Sequence, residues 1–122
     1  MTTYRPGDAV LVSFPFADQR QRKKRPAVVV ADTGDNDLVV PRVTTQRYTT
    51  AFNLPIADWQ EAGLLAPSTV RLHKLATIEK SLIGLRLGSL SANDRERASS
   101  ILRGKLALRP GLETVALFPV NR

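Results

Sequence analysis

The sequence predicts a small β-barrel decorated with helices, mainly β in class (α+β) and closing with one C-terminal α-helix. Two observations predict it: many short β-branched runs separated by Gly, Pro and Asp, and one amphipathic stretch late in the chain. A chain of 122 residues is expected to form one domain, 1–122, around one modest core.

The elements follow in order. Gly7–Phe16 (GDAVLVSFPF) reads as a strand with Val10, Val12 and Phe14 on one face, which Pro15 ends or marks as an edge. Pro26–Ala31 (PAVVVA) is a continuous apolar run, the pattern of a strand buried on both faces, with Pro at its first position. Asp32–Asp37 (DTGDND) carries turn chemistry, with Gly34 available for positive φ. Leu38–Thr44 (LVVPRVT) reads as a third strand whose Pro41 signals an edge or a bulge. Asp58–Ala62 suits one helical turn capped by Asp58 and stopped by Gly63. Ser68–Lys74 alternates, with Val70 and Leu72 on one face and Arg71 and His73 on the other; further strands are expected at Ala76–Ile78 and Leu82–Leu87. Ser91 and Asp94 have capping-box-like spacing, and Ala98, Ile101, Leu102 and Lys105 then recur at i, i+3, i+4, i+7. Arg109-Pro110-Gly111 ends that helix.

Composition narrows the function. Hydrophobic residues make up 43% and charged residues 24%, ordinary for a folded soluble protein. The longest uncharged stretch, Tyr48–Ala57, is too short to span a bilayer, and Met1–Pro6 has no apolar signal segment, so a cytoplasmic, membrane-free protein is expected. With no cysteine and a single histidine, His73, neither a disulfide nor a Cys/His zinc site can form. Asp32, Asp35 and Asp37 superficially suggest calcium, but the twelfth position counted from Asp32 is Val43, where an EF-hand loop needs glutamate. No metal and no cofactor is therefore expected. Lys and Arg number 18 against 11 Asp and Glu, a net charge of +7 that favours a polyanionic partner.

Arg20–Arg25 (RQRKKR) places five cations in six residues between two expected strands. Such a run is commonly a solvated loop; the functional reading is a phosphate-tracking loop in which Arg20, Arg22, Lys23 and Lys24 are mobile. Arg25 differs because it abuts the apolar strand, and a fixed guanidinium suits bidentate phosphate recognition and stabilisation of a pentavalent phosphorus. A Thr at a strand end is usually plain β propensity, yet the Thr44 hydroxyl can hold a phosphate oxygen or a 2′-OH. A lone histidine is usually structural, but His73, two residues from Arg71, can act as a general acid or base near neutral pH.

Taken together, Gly7-Asp8-Ala9-Val10-Leu11-Val12 with Phe14-Pro15, Lys24-Arg25-Pro26-Ala27-Val28-Val29-Val30, Val43-Thr44-Thr45-Gln46, Asp58-Trp59 with Ala62-Gly63-Leu64, Pro67-Ser68-Thr69-Val70-Arg71, and Thr77-Ile78 with Lys80 resemble the MazF/PemK (Kid-like) ribonuclease toxins of bacterial toxin–antitoxin pairs. The resemblance covers roughly residues 5–106 and leaves 107–122 as a C-terminal tail without a counterpart. It implies an SH3-like barrel, a homodimer, and a groove at the dimer interface that binds single-stranded RNA or mRNA and is occluded by an acidic cognate antitoxin. It also implies metal-independent, sequence-specific cleavage through the 2′-OH, leaving a 2′,3′-cyclic phosphate and a 5′-hydroxyl and inhibiting translation and growth. By matching motifs, Arg25 and Thr44 take the family's catalytic positions, and Arg71 matches an arginine implicated in PemK-like members and joins the expected catalytic set. His73, where that branch often has aspartate, either supplies the acid–base function or leaves it to Arg25 and Thr44. Gln46, Arg47 and the basic run Arg20, Arg22, Lys23 and Lys24 are the implied RNA contacts. Two other readings fit the charge: a CcdB-like gyrase poison, weakened because the only tryptophan is Trp59 rather than one near the C-terminus, and a non-catalytic RNA-binding barrel.

Overall fold

The structure, a computed structural model, describes residues 3–15 and 22–105. Its elements are β1 (Asp8–Pro15), β2 (Arg22–Val28), β3 (Ala31–Asp32), β4 (Asp37–Thr44), β5 (Asn53–Pro55), β6 (Thr69–Glu79), β7 (Ile83–Ser89) and α1 (Ala92–Lys105), with a 3₁₀ turn at Lys80–Leu82 between β6 and β7. The ladders are antiparallel and run β5-β6-β4-β2-β1-β7, with β3 paired to β4 beside this path. This is the mainly β fold with a C-terminal helix that the sequence predicts. The barrel is open: among the described residues β5 and β7 are the two edges and share no ladder.

The central strands bury both faces. Ala9, Val28, Val43, Leu54, Val70 and Leu72 form one cluster, closed by Trp59 and by Ala98, Ile101 and Leu102 of α1. Val10, Val12, Ala27, Val29, Leu38 and Val40 form the other, closed by Tyr4, Phe14, Leu82 and Ile83. Neighbours such as Ala27 and Val28 therefore serve opposite clusters, which is why Ala27–Val29 is apolar without alternation. The run Pro26–Ala31 is not one strand, however: β2 ends at Val28 and Ala31 opens β3. On α1 the apolar stripe ends at Leu102, since Lys105 is exposed. No helix among the described residues is long and apolar enough to cross a membrane.

Four local expectations are corrected. The basic run is not simply a loop, because Lys23, Lys24 and Arg25 lie in β2 opposite Phe14, Ser13 and Val12. Strand pairing overrides the run's charge because the exposed ends of long cationic side chains stay in water while their backbone joins the ladder. Pro26 is consequently inside β2 rather than at its start. The missing donor is tolerated where β2 meets β4 at only the Ala27↔Arg42 pair. The expected strands Ser68–Lys74 and Ala76–Ile78 are one strand, β6, which starts at Thr69. Its register jumps from Pro41↔Leu75 to Arg42↔Arg71, so the irregularity that Pro41 announces bulges Leu72–Lys74 out of the ladder. Asp58–Ala62 makes the single turn expected, with Ala62 N–H to Asp58 O at 3.2 Å, but no cap bond from the Asp58 side chain is seen among the described residues. Gly63 stops the turn through Gly63 N–H to Gln60 O at 3.0 Å and Leu64 N–H to Trp59 O at 3.0 Å. Gly63 is required there: its φ is +84°, and a Cβ would come within 2.2 Å of the Leu87 carbonyl oxygen. β5, three residues with Asn and Pro at its ends, is too short for periodicity to reveal.

Candidate nucleic-acid interface

Two neighbouring clusters emerge from the β2, β4 and β6 strands. The first is a cleft of about 380 Å³ between them, lined by Arg25 of β2, Arg42 of β4 and Lys74 of β6 over a floor that includes Phe14, Pro26 and Pro41. Its lining holds three cations and no carboxylate among the described residues. All three residues are exposed, as a site for a solvated polyanion requires. The Arg25 backbone is fixed by its β1 partner Val12 and by the ring of Pro26 that follows it. The β6 bulge brings Lys74 to the cleft, and Pro41 brings Arg42 to it.

The second cluster begins two residues further along β4. Cα atoms of Arg42 and Thr44 stand about 6.6 Å apart at the rise of a strand. The Thr44 Oγ1 accepts the backbone N–H of Gln46 at 3.1 Å, which turns the chain and leaves the hydroxyl proton as a donor. The Tyr48 hydroxyl donates to Gln46 Oε1 at 3.2 Å. The Arg71 guanidinium stands 3.6 Å above the centre of the Tyr48 ring, and its Nε–H donates to Asn53 Oδ1 at 3.0 Å. Asn53 Nδ2 donates in turn to Thr50 Oγ1, while the Asn53 N–H bonds to the Thr50 carbonyl at 3.0 Å. Arg42 and Arg71 are register partners, so the two clusters adjoin across β4 and β6.

The sequence-selected residues are thus divided. Arg25 lines the cleft, whereas Thr44, Gln46 and Arg71 belong to the second cluster. Lys23 and Lys24 are exposed on β2 beside Arg25, and Arg47 is exposed between Gln46 and Tyr48. Arg20 and the side chain of Arg22 lie outside the described residues, as does the tail. His73 is not in the cleft. It packs on Phe52 with ring centres 5.5 Å apart, and its buried Nδ1 has no hydrogen-bond partner among the described residues. Burial, and then the charges of Arg71 and Lys74, hold its pKa below the ordinary histidine value, so the ring is mainly neutral at pH 7.

Sequence reasoning missed Arg42, Lys74, Tyr48 and Asn53. Arg42 left a signal, a lone cation inside an apolar strand just after a bulge-forming proline. Tyr48 and Asn53 left none, because their contacts exist only once the β4–β5 loop closes over β6.

Over residues 5–105 the chain matches the family described as PemK-like, MazF-like toxin of type II toxin–antitoxin system. No curated protein matches it. Among solved structures it is similar to an endoribonuclease in complex with its cognate antitoxin from a mycobacterial species, at 18% identity and TM-score 0.70, covering 87% of this chain and 97% of that one. It is also similar to the MazE–MazF structure from Deinococcus radiodurans, at 17% identity and TM-score 0.69, covering 87% and 97%. A third is the Mycobacterium tuberculosis toxin MazF-mt6, at 20% identity and TM-score 0.61, covering 76% and 91%. At these identities the likeness establishes the fold.

Proposed function

Because the chain belongs to the PemK-like, MazF-like toxins of type II toxin–antitoxin systems, we propose that it is a metal-independent, sequence-specific endoribonuclease that cuts single-stranded RNA and so arrests translation and growth. The single observation that carries this reading is the cleft lined by Arg25, Arg42 and Lys74 and by no carboxylate among the described residues. A cytoplasmic homodimer, held inactive by an acidic antitoxin, belongs to the same proposal. The solved relatives in complex with an antitoxin, or with MazE, support the antitoxin partner.

RNA supplies its own nucleophile, so no metal-bound water is required. The 2′-oxygen attacks the adjacent phosphorus, loses its proton, and forms the cyclic P–O2′ bond. The P–O5′ bond breaks as its electron pair leaves with the 5′-oxygen, which takes up a proton. Arg25 holds the phosphate and stabilises the added charge on its oxygens, a role suited to a guanidinium that stays protonated. The Thr44 hydroxyl, its oxygen already committed to the Gln46 N–H, donates its proton to an RNA oxygen and positions the strand. A neutral His73 is able to accept a proton, but its place on Phe52 makes it the less direct candidate for acid–base work. The test is a substrate with 2′-deoxyribose at the scissile nucleotide. It is expected to resist cleavage while binding normally, and efficient cutting would overturn the mechanism.

A further inference from the structure

Arg71 has the charge of a phosphate ligand, yet its contacts point inward. One guanidinium face is stacked on Tyr48 and its Nε–H is committed to Asn53, which is itself tied to Thr50. Tyr48, so held, directs its hydroxyl to the oxygen of the exposed Gln46 amide. The Gln46 backbone is pinned separately by Thr44. One side chain, Tyr48, thus holds the amide, with Arg71, Asn53 and Thr50 behind it. With its oxygen turned to Tyr48, Gln46 turns its NH₂ donors away from that ring, toward a ligand.

Gln46 lies four residues beyond Arg42, at most about 14 Å of chain. A group displayed there stands beside a strand whose phosphate occupies the cleft, close enough to meet a neighbouring base. Unpaired bases are read on their Watson–Crick and Hoogsteen edges. An NH₂ donor discriminates there between the O4 or O6 acceptor of uracil or guanine and the amino donor of cytosine or adenine. We propose that Gln46 selects a keto base, uracil or guanine, at one position of the cleaved sequence, and that Tyr48 and Arg71 are positioning residues that orient its amide. The inference rests on the ribonuclease reading and gives the site its specificity.

The test uses the full-length protein and three conservative variants, Gln46→Glu, Tyr48→Phe and Arg71→Lys, on a randomised single-stranded RNA with every cut mapped by end sequencing. The wild type is expected to favour uracil or guanine over cytosine or adenine by about fivefold or more at one position. Gln46→Glu replaces the donor with an acceptor and turns that preference toward cytosine and adenine. Tyr48→Phe lets the amide turn over, so discrimination at that position falls. Arg71→Lys keeps the charge but has no plane to stack and no fork, and loses the same discrimination. Melting curves are taken first. If Gln46→Glu is not folded, Gln46→Met takes its place, and loss of the keto preference is the expected result. Wild-type cuts without a keto preference, or an unchanged preference in the Gln46 variant, overturn the inference. So does an Arg71→Lys variant that loses cleavage with its preference intact, which makes Arg71 a catalytic group. No cleavage by the wild type overturns the ribonuclease reading itself.

Discussion

Oδ2 of Asp94, in the first turn of α1, accepts the backbone N–H of Asp58 at 2.8 Å across 36 residues of chain. Its Oδ1 accepts the N–H of Ala57 at 3.0 Å and pairs with Arg97 at 3.0 Å. The carboxylate is fully buried, so it closes the 56–64 segment onto the helix rather than returning to cap its own turn. Asp94→Ala leaves two N–H groups without their charged acceptor and is expected to cost about 2–4 kcal/mol in urea denaturation. Asp94→Asn fares little better, because its NH₂ faces an N–H donor. A loss below about 0.5 kcal/mol in both variants contradicts this role.

Acid should loosen the opposite end of the sheet. Asp32 accepts the N–H groups of Tyr4 and Gly34, each at 2.9 Å, and pairs with Lys80 at 3.0 Å, which holds its carboxyl at about 2. The ordinary aspartate value is about 3.9. A pKa lowered in the folded state means the stabilisation is complete above about pH 4 and is lost as pH falls toward 2. Asp8 adds to the same slope. Burial opposes its ionisation, but the Arg5 N–H, Arg86 and Ser89 outweigh that and lower its pKa. Urea midpoints of the wild type should therefore fall between pH 4 and 2, and Asp32→Asn should remove part of that fall. Parallel profiles for the two proteins would refute the assignment.

The cleft makes a prediction about salt. If Arg42 and Lys74 each neutralise one RNA phosphate, removing either reduces the slope of log Kd against log salt by about 0.7 for a single strand. Binding is measured with a 2′-deoxy oligonucleotide, which should not be cut. Arg42→Ala and Lys74→Ala are expected to weaken binding at low salt and converge on the wild type at high salt. A parallel shift at all salt concentrations would mean that neither contacts phosphate.

The mainly β class, the doubly buried core of the Pro26–Ala31 run (Ala27–Val29) and the Ser91 cap were legible in the residues, although β2 ends at Val28 and Ala31 belongs to β3. Each is written in local chemistry, and the cap is seen as the Asp94 N–H donating to Ser91 Oγ at 3.1 Å. The extension of β2 into the basic run was not, because strand pairing with Ser13 and Phe14 is a long-range choice that charge composition does not record. The candidate site was half legible. Arg25 stood out by its proline and Thr44 by ending a strand, whereas the Tyr48–Arg71–Asn53 contacts depend on how a loop closes. Arg71 and His73 share a strand and were read together, yet they serve different neighbours: Arg71 the loop through Tyr48 and Asn53, His73 the ring of Phe52.

The central claim is that Arg25 stabilises charge in an RNA-cleaving site. Its most direct test is cleavage of a long single-stranded RNA in EDTA by the wild type, Arg25→Ala and Arg25→Lys, with the new ends mapped. The side chain is exposed, so both variants should fold. The account predicts discrete wild-type cuts with 5′-hydroxyl ends, a loss of about 10²–10³-fold in Arg25→Ala, and poor recovery in Arg25→Lys, which lacks the fork. Intact RNA from folded, antitoxin-free wild type, or an Arg25→Ala variant that cuts at the wild-type rate, would contradict it.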